Sequence, residues 1–151
     1  MGIDIRTEAI NNANKFKSEL PFNIQRRIKF RVATTEDLLK EKKKFDTIYL
    51  TEVLEHIYFT YHQEFLDSVV SLMKPDSNLI VSVPNRYPKK IYEEQERTRW
   101  KFEGHLSHFS KLSLEDLLSK YFSEIEFHKF PQDLRPQEGI FLICNCQKPL
   151  I

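Results

Sequence analysis

Glycine is what this sequence lacks most: 151 residues contain three, Gly2, Gly104 and Gly139. A glycine-rich turn that cradles a phosphate or a nucleotide needs several glycines within a few residues, so these three cannot write one. An excess of one charge is also missing. Lys and Arg number 23 against 22 Asp and Glu, a net charge of +1, so no global field draws the chain to nucleic acid or to a membrane surface. No apolar run approaches the ~20 residues that span a bilayer. The opening MGIDIRTEAINNANKF has no apolar core of a signal peptide. Both absences point to the cytoplasm. Cysteine is limited to Cys144 and Cys146. Two residues apart in an extended run, IFLICNC, they point the same way, but that is poor disulfide geometry. A lone C-x-C is also too little for a metal site, so they read as reduced thiols in or beside a core strand. There is no internal repeat, and the one biased tract is the short basic run Lys40 to Lys44.

What is present is ordinary globular composition, 40% hydrophobic and 30% charged, in a length that suits a single domain over 1–151 with a real core. Short β-rich runs alternate with helical periods. Gly2 to Ile5 reads as a strand. Thr7 suits a helix N-cap, with Ile10, Ala13, Phe16 and Leu20 following at helical spacing until Pro21. Ile28 to Val32 alternates as a strand, and TTEDLLKEKKK is a short charged helix or turn. Phe45 to Thr51 is a strong strand running into EVLEHI. His62 to Met73 has amphipathic helix spacing, stopped by Lys74 and Pro75. Asn78 to Val83 is apolar enough for a strand buried on both faces. Ser110 or Ser113 caps a helix through Tyr121. Glu124 to Phe130 and Ile140 to Cys146 are the last strands, separated by the turn-rich PQDLRPQEG. Alternating strand and helix predict a parallel α/β sheet, and the last pair, with no helix-length connector, predicts an antiparallel hairpin at one edge.

Two groups of residues suggest chemistry. Glu52, Glu55 and His56 stand at i, i+3 and i+4, which shares one face if EVLEHI is helical. With His105 or His108 they form a donor set for Mg²⁺, Mn²⁺ or Zn²⁺. Alternatively, His56 or His108 orients an acceptor or serves as general base. His62 and His128 read as surface or packing residues. The stretch RYPKKIYEEQERTRWKF offers Arg86, Lys89, Lys90, Arg97 and Arg99 to phosphate, and Tyr87 or Trp100 to a base. Its glutamates dilute that field, so residues 86–109 read as a substrate lid or insertion.

The pieces GIDI-x-x-E-A-I, FDTIYLTEVLEHI, LMKPDSNLIVSVPN and HLSHFSKLSLEDLL, in this order and over nearly the whole chain, resemble the class I S-adenosylmethionine (SAM)-dependent methyltransferases. The nearest flavours are the ubiquinone-type O-methyltransferases and the small-RNA 3′-end 2′-O-methyltransferases. The resemblance implies a Rossmann-like α/β sheet, mostly parallel, in strand order 3-2-1-4-5-7-6. It implies SAM as cofactor, with Asp4 holding the ribose hydroxyls and Ile5 touching the adenine. The acidic adenine contact of the family falls on Thr34, so Glu36 or Asp37 would substitute. Thr51 and Glu52 would face the methyl donor and acceptor. In the RNA 3′-end enzymes such a pattern grips a terminal ribose through a metal, which here would be held by Glu52, Glu55, His56 and His105. Some ubiquinone-type enzymes carry a similar acidic-histidine start.

The family's first strand and glycine-rich loop belong before GIDI and have no counterpart here. That strand is central, so its absence would leave two rows of backbone groups unpaired, each costing roughly 1–3 kcal/mol if buried. Three origins follow: a truncated enzyme, a sheet completed by a second chain or homodimer, or a rearranged sheet that no longer binds SAM. The functional expectations are correspondingly a methyltransferase domain for a small-molecule acceptor, a non-catalytic binding or assembly module, and a metal-dependent RNA 3′-end methyltransferase. The near-neutral charge disfavours a nucleic-acid partner.

Overall fold

The computed structural model describes residues 1–85, 104–128 and 141–150. The chain forms two compact units, 1–43 and 44–151.

In the first unit, β1 (Gly2–Asp4) pairs in parallel with β2 (Phe30–Val32), Ile3 opposite Arg31. They are joined through α1 (Thr7–Ser18) and the single turn α2 (Phe22–Gln25). Thr7 is the first helical residue, not the cap. Arg6 occupies the cap position without a side-chain bond, and the helix stops at Ser18, ahead of Pro21. α3 (Thr35–Lys40) begins with a reciprocal capping box in which Thr34 bonds the Asp37 amide and Asp37 bonds the Thr34 amide. Only Ile10, Ala33 and Leu38 are buried here, while Ile5, Phe16 and Phe22 are each about 70% exposed. Two short strands and one amphipathic helix do not cover one another's apolar faces.

The second unit is a four-stranded sheet in the order β3-β4-β6-β5: β3 (Phe45–Thr51), β4 (Met73–Pro84), β6 (Phe141–Pro149) and β5 (Phe122–Phe127). β3 and β4 are parallel, and β6 is antiparallel to both β4 and β5. The antiparallel hairpin expected at one edge is therefore present. α4 (His62–Val70) and α5 (Lys111–Leu118) pack against the sheet. Leu54, Leu66, Met73, Leu79, Val81, Val83, Leu114 and Leu118 are fully buried in one core with Phe122 and Cys144. Ser110 caps α5 in a box with Ser113.

α4 ends at Val70, three residues before the expected end. Met73 begins β4 instead, paired with Phe45 and fully buried, and the strand's register then slips before Thr47 meets Asn78. Lys74 to Ser77 is the excess chain in that slip, closed by Ser77 Oγ donating to the Lys74 carbonyl at 2.6 Å. Pro75 thus sits in a strand irregularity, where its missing N–H costs nothing in the ladder. The two thiols face the same way, buried, with sulfurs 3.9 Å apart and free.

In the family's numbering the sheet of the first unit pairs as 3-2 and that of the second as 4-5-7-6, each in the expected order. β3 has no second strand partner among the described residues. Four of its seven residues are exposed, Tyr49 at 65%. Water can therefore satisfy that edge, and the penalty for buried unpaired groups does not apply in full.

Candidate active site

The tip of β3 is bent sharply. Glu52 adopts φ 55°, a left-handed conformation that a residue with a Cβ rarely takes. Its amide donates to the Ser82 carbonyl at 3.0 Å, and its Oε1 accepts from Ser82 Oγ at 2.8 Å. The chain then enters a 3₁₀ turn, Leu54–His56, rather than the α-helix that EVLEHI suggested. The bend anchors Glu52 to β4 and lets Leu54 drop into the core, fully buried.

Glu55 follows it inward and is 1% exposed. Neither of its carboxylate oxygens has a hydrogen-bond partner. Its acidity is pushed up to about 7, first by burial and then by the neighbouring Glu52 carboxylate. His56 stays half-exposed, and its Nδ1–H donates to the Gly104 carbonyl at 3.2 Å. A carbonyl can only accept, so in the neutral ring Nε2 is the nitrogen with the lone pair. That Nε2 lies 3.9 Å from Glu55 Oε1, too far for a hydrogen bond. The His105 ring meets the His56 ring edge-on, with centroids 4.9 Å apart. One ligand atom from each of Glu55, His56 and His105 lies within 4.8 Å of the others.

The loop bearing His105 is stapled to the turn. Leu106 and Ser107 amides both donate to the Glu55 carbonyl, at 2.7 and 3.0 Å, and Ser107 Oγ donates to Ile57 O at 2.6 Å. Beneath the turn, His62 is buried, with Nε2–H donating to Leu54 O at 2.9 Å and its ring tilted against Phe109. It is a packing residue, as expected. The turn and loop are therefore held by backbone bonds, while the carboxylate between them is left unsatisfied.

Of the residues singled out in the sequence, Glu55, His56 and His105 come together. Glu52 stands beside them, engaged with Ser82. His108 is exposed and lines a groove with Phe59 and Lys120 instead. Thr51 is exposed at the end of β3. In the first unit, Asp4 ends β1, and its carboxylate accepts three bonds from Arg6, one from the amide and two from the guanidinium, at 2.8–3.1 Å. Those bonds hold its pKa below the usual range. Ile5, beside it, is 73% exposed. Asp37 spends its carboxylate on the Thr34 cap, and Glu36 is exposed in the first turn of α3. The basic-aromatic residues Arg86 to Trp100, and with them most of the expected lid, lie outside the described residues. The groove and the buried, unpartnered state of Glu55 are features that sequence spacing did not signal. No helix among the described residues is long and apolar enough to cross a membrane.

Several solved structures share this fold. The methyltransferase domain of bacterial CtHen1 is 19% identical, with TM-score 0.67 over 97% of this chain and 76% of its own. A SAM-dependent methyltransferase from Archaeoglobus fulgidus is 15% identical, with TM-score 0.66 over 97% and 75%. The N-methyltransferase NodS from Bradyrhizobium japonicum WM9, in complex with S-adenosyl-L-homocysteine, is 16% identical, with TM-score 0.63 over 97% and 65%. At these identities the likeness is one of fold. Among curated proteins, none matches the sequence. The family described as "Methyltransferase domain" matches residues 1–132, and the chain belongs to that family.

Proposed function

We propose that this domain transfers a methyl group from SAM to an acceptor hydroxyl held beside a divalent cation, with Glu55, His56 and His105 as the cation's protein ligands. One observation carries the reading: a buried carboxylate with two unpartnered oxygens lies 3.9 Å from the Nε2 of an imidazole. Such a carboxylate must take up a proton or meet a cation. One carboxylate and two imidazoles suit Mn²⁺ or Zn²⁺. A cation there would act as a Lewis acid, making a coordinated hydroxyl more acidic.

The chain's own residues do the positioning. The Gly104 carbonyl fixes the His56 tautomer, as outer partners of ligating histidines commonly do. The amides of Leu106 and Ser107 fix the turn. Glu52, anchored by Ser82, is the neighbouring carboxylate on the acceptor side. Asp4 and Ile5 suit the adenosyl half of SAM. Asp4 can accept ribose hydroxyls through lone pairs that Arg6 leaves open. The methionine half calls for a glycine-rich turn that the three glycines of this sequence do not form. Methyl transfer itself is an in-line displacement that gains chiefly from proximity and orientation.

The pattern of ligands supports an acceptor resembling the terminal ribose of an RNA 3′ end. The net charge of +1 supports a second reading, a small-molecule acceptor with a similar hydroxyl pair.

The test is transfer of label from methyl-labelled SAM, with Mn²⁺, to a 3′-terminal oligoribonucleotide and to small diols and catechols. Incorporation that needs the cation and vanishes in Glu55→Ala is expected. Incorporation indifferent to chelator would end the cation reading. Calorimetry with S-adenosylhomocysteine runs alongside. An absence of heat at millimolar ligand would mark the chain as a binding or assembly module, or as one part of an enzyme whose glycine turn another segment provides.

A further inference from the structure

A groove of about 590 Å³ opens beside the cluster, between the 3₁₀ turn Phe59–Tyr61, the loop after His105 and one face of α5. Its size falls within the usual range for small-ligand sites. Its lining includes the apolar Phe59, Leu106 and Leu117 and the polar Ser113, His108 and Lys120. Ser113 and Leu117 share one face of α5, and Lys120 follows just after its end. Phe59 is 76% exposed and Leu106 is 44% exposed, so both offer apolar surface to a ligand in the groove. Among the described residues that line the groove none is a carboxylate, and Lys120 alone carries a formal charge. The wall is continuous with the cluster, since Leu106 follows His105 and its amide is bonded to the Glu55 carbonyl.

We propose that this groove is an acceptor subsite for a flat aromatic ring bearing an anionic group, with the ring lying on Phe59 and the anion meeting Lys120. The assignment rests on the reading above, in which the acceptor's hydroxyl is presented at Glu55, His56 and His105. It adds what the rest of that acceptor looks like. A groove that offers both an exposed phenyl face and an ammonium binds an aromatic anion better than either a neutral ring or a free anion. Two chemistries share that description, a mononucleotide unit and an aromatic acid.

The test needs neither SAM nor a cation. Adenosine 5′-monophosphate and 4-hydroxybenzoate are titrated separately into the full chain in chelator and followed by NMR shifts, with adenosine and inorganic phosphate as references. At least one of the two anionic aromatics is expected to bind several-fold tighter than both references. Phe59→Ala should weaken it about tenfold, as loss of a stacking face does, and Lys120→Ala should weaken it and flatten its salt dependence. Both side chains are exposed, so neither change threatens the fold, and unchanged circular dichroism checks this. Binding by the nucleotide alone, or by the aromatic acid alone, supports the subsite and names the acceptor class. No binding by either at millimolar concentration, or affinity untouched by both substitutions, overturns it. Mn²⁺ binding measured on the same samples separates the two readings. Cation bound with the groove inert sinks this inference alone, and groove binding without a cation sinks the cation site alone.

Discussion

Replacing Glu55 with glutamine should change how stability depends on pH, and in a direction opposite to most carboxylates. The unfolded glutamate ionises near 4.5 and the folded one at about 7. Below pH 4.5 both states hold the proton and the group contributes nothing. Between those values the folded state binds more protons than the unfolded state, so stability falls as pH rises. By pH 8 the folded protein carries a buried, unpartnered charge. At 1.36 kcal/mol per unit the cost is about 3 kcal/mol, a large part of a typical domain's 5–15 kcal/mol. Glu55→Gln keeps the shape and removes the charge. Denaturant titrations followed by circular dichroism at pH 5 and pH 8, in chelator, should show the wild type losing roughly that amount relative to the variant. The variant should be the more stable of the two at pH 8. Saturating Mn²⁺ should reverse the order, since the cation stabilises only the folded carboxylate form. Parallel pH profiles for the two proteins would refute the reasoning, because Glu55 would then be ionising as if in water.

Other expectations follow from the packing. Leu54→Ala empties a fully buried position and should cost about 2–5 kcal/mol in chemical denaturation, with loss of Mn²⁺ affinity because the turn beneath Glu55 loosens. Ser110→Ala breaks the α5 capping box and should cost about 1 kcal/mol in the same assay, leaving the cluster intact. Cys146 is buried against Cys144, whose sulfur and the burial together push its thiol well up. A thiol reagent at neutral pH should therefore modify neither cysteine faster than the sheet opens; modification within mixing time would contradict the burial.

Much of the fold could be read from residue pattern. Phe45 to Thr51 and Asn78 to Val83 are apolar runs bounded by breakers, and each is a strand of the central sheet. Ser110 and Ser113 announced α5 because capping chemistry is local. The reading failed where tertiary structure overrode local preference. Met73 looked helical because it continues the apolar spacing of α4, yet it pairs with Phe45 and fills the core. EVLEHI looked helical because its charges recur every three to four residues. The left-handed bend at Glu52 instead turns it into a 3₁₀ segment, and a bend of that kind has no sequence mark apart from glycine, which is absent here. Spacing alone brought Glu55 to His56. The arrival of His105 depends on the bond from the His56 ring to the Gly104 carbonyl and on those from the Leu106 and Ser107 amides to the Glu55 carbonyl, which no periodicity encodes.

The most direct measurement is Mn²⁺ stoichiometry by equilibrium dialysis with paramagnetic resonance at pH 8, on the wild type and on Glu55→Ala. The wild type should retain one ion per chain, with affinity falling as the pH drops through 7, and Glu55→Ala should retain none. Wild-type protein that binds no Mn²⁺ or Zn²⁺, or an alanine variant that binds them equally well, would contradict the assignment of Glu55, His56 and His105 as a cation site.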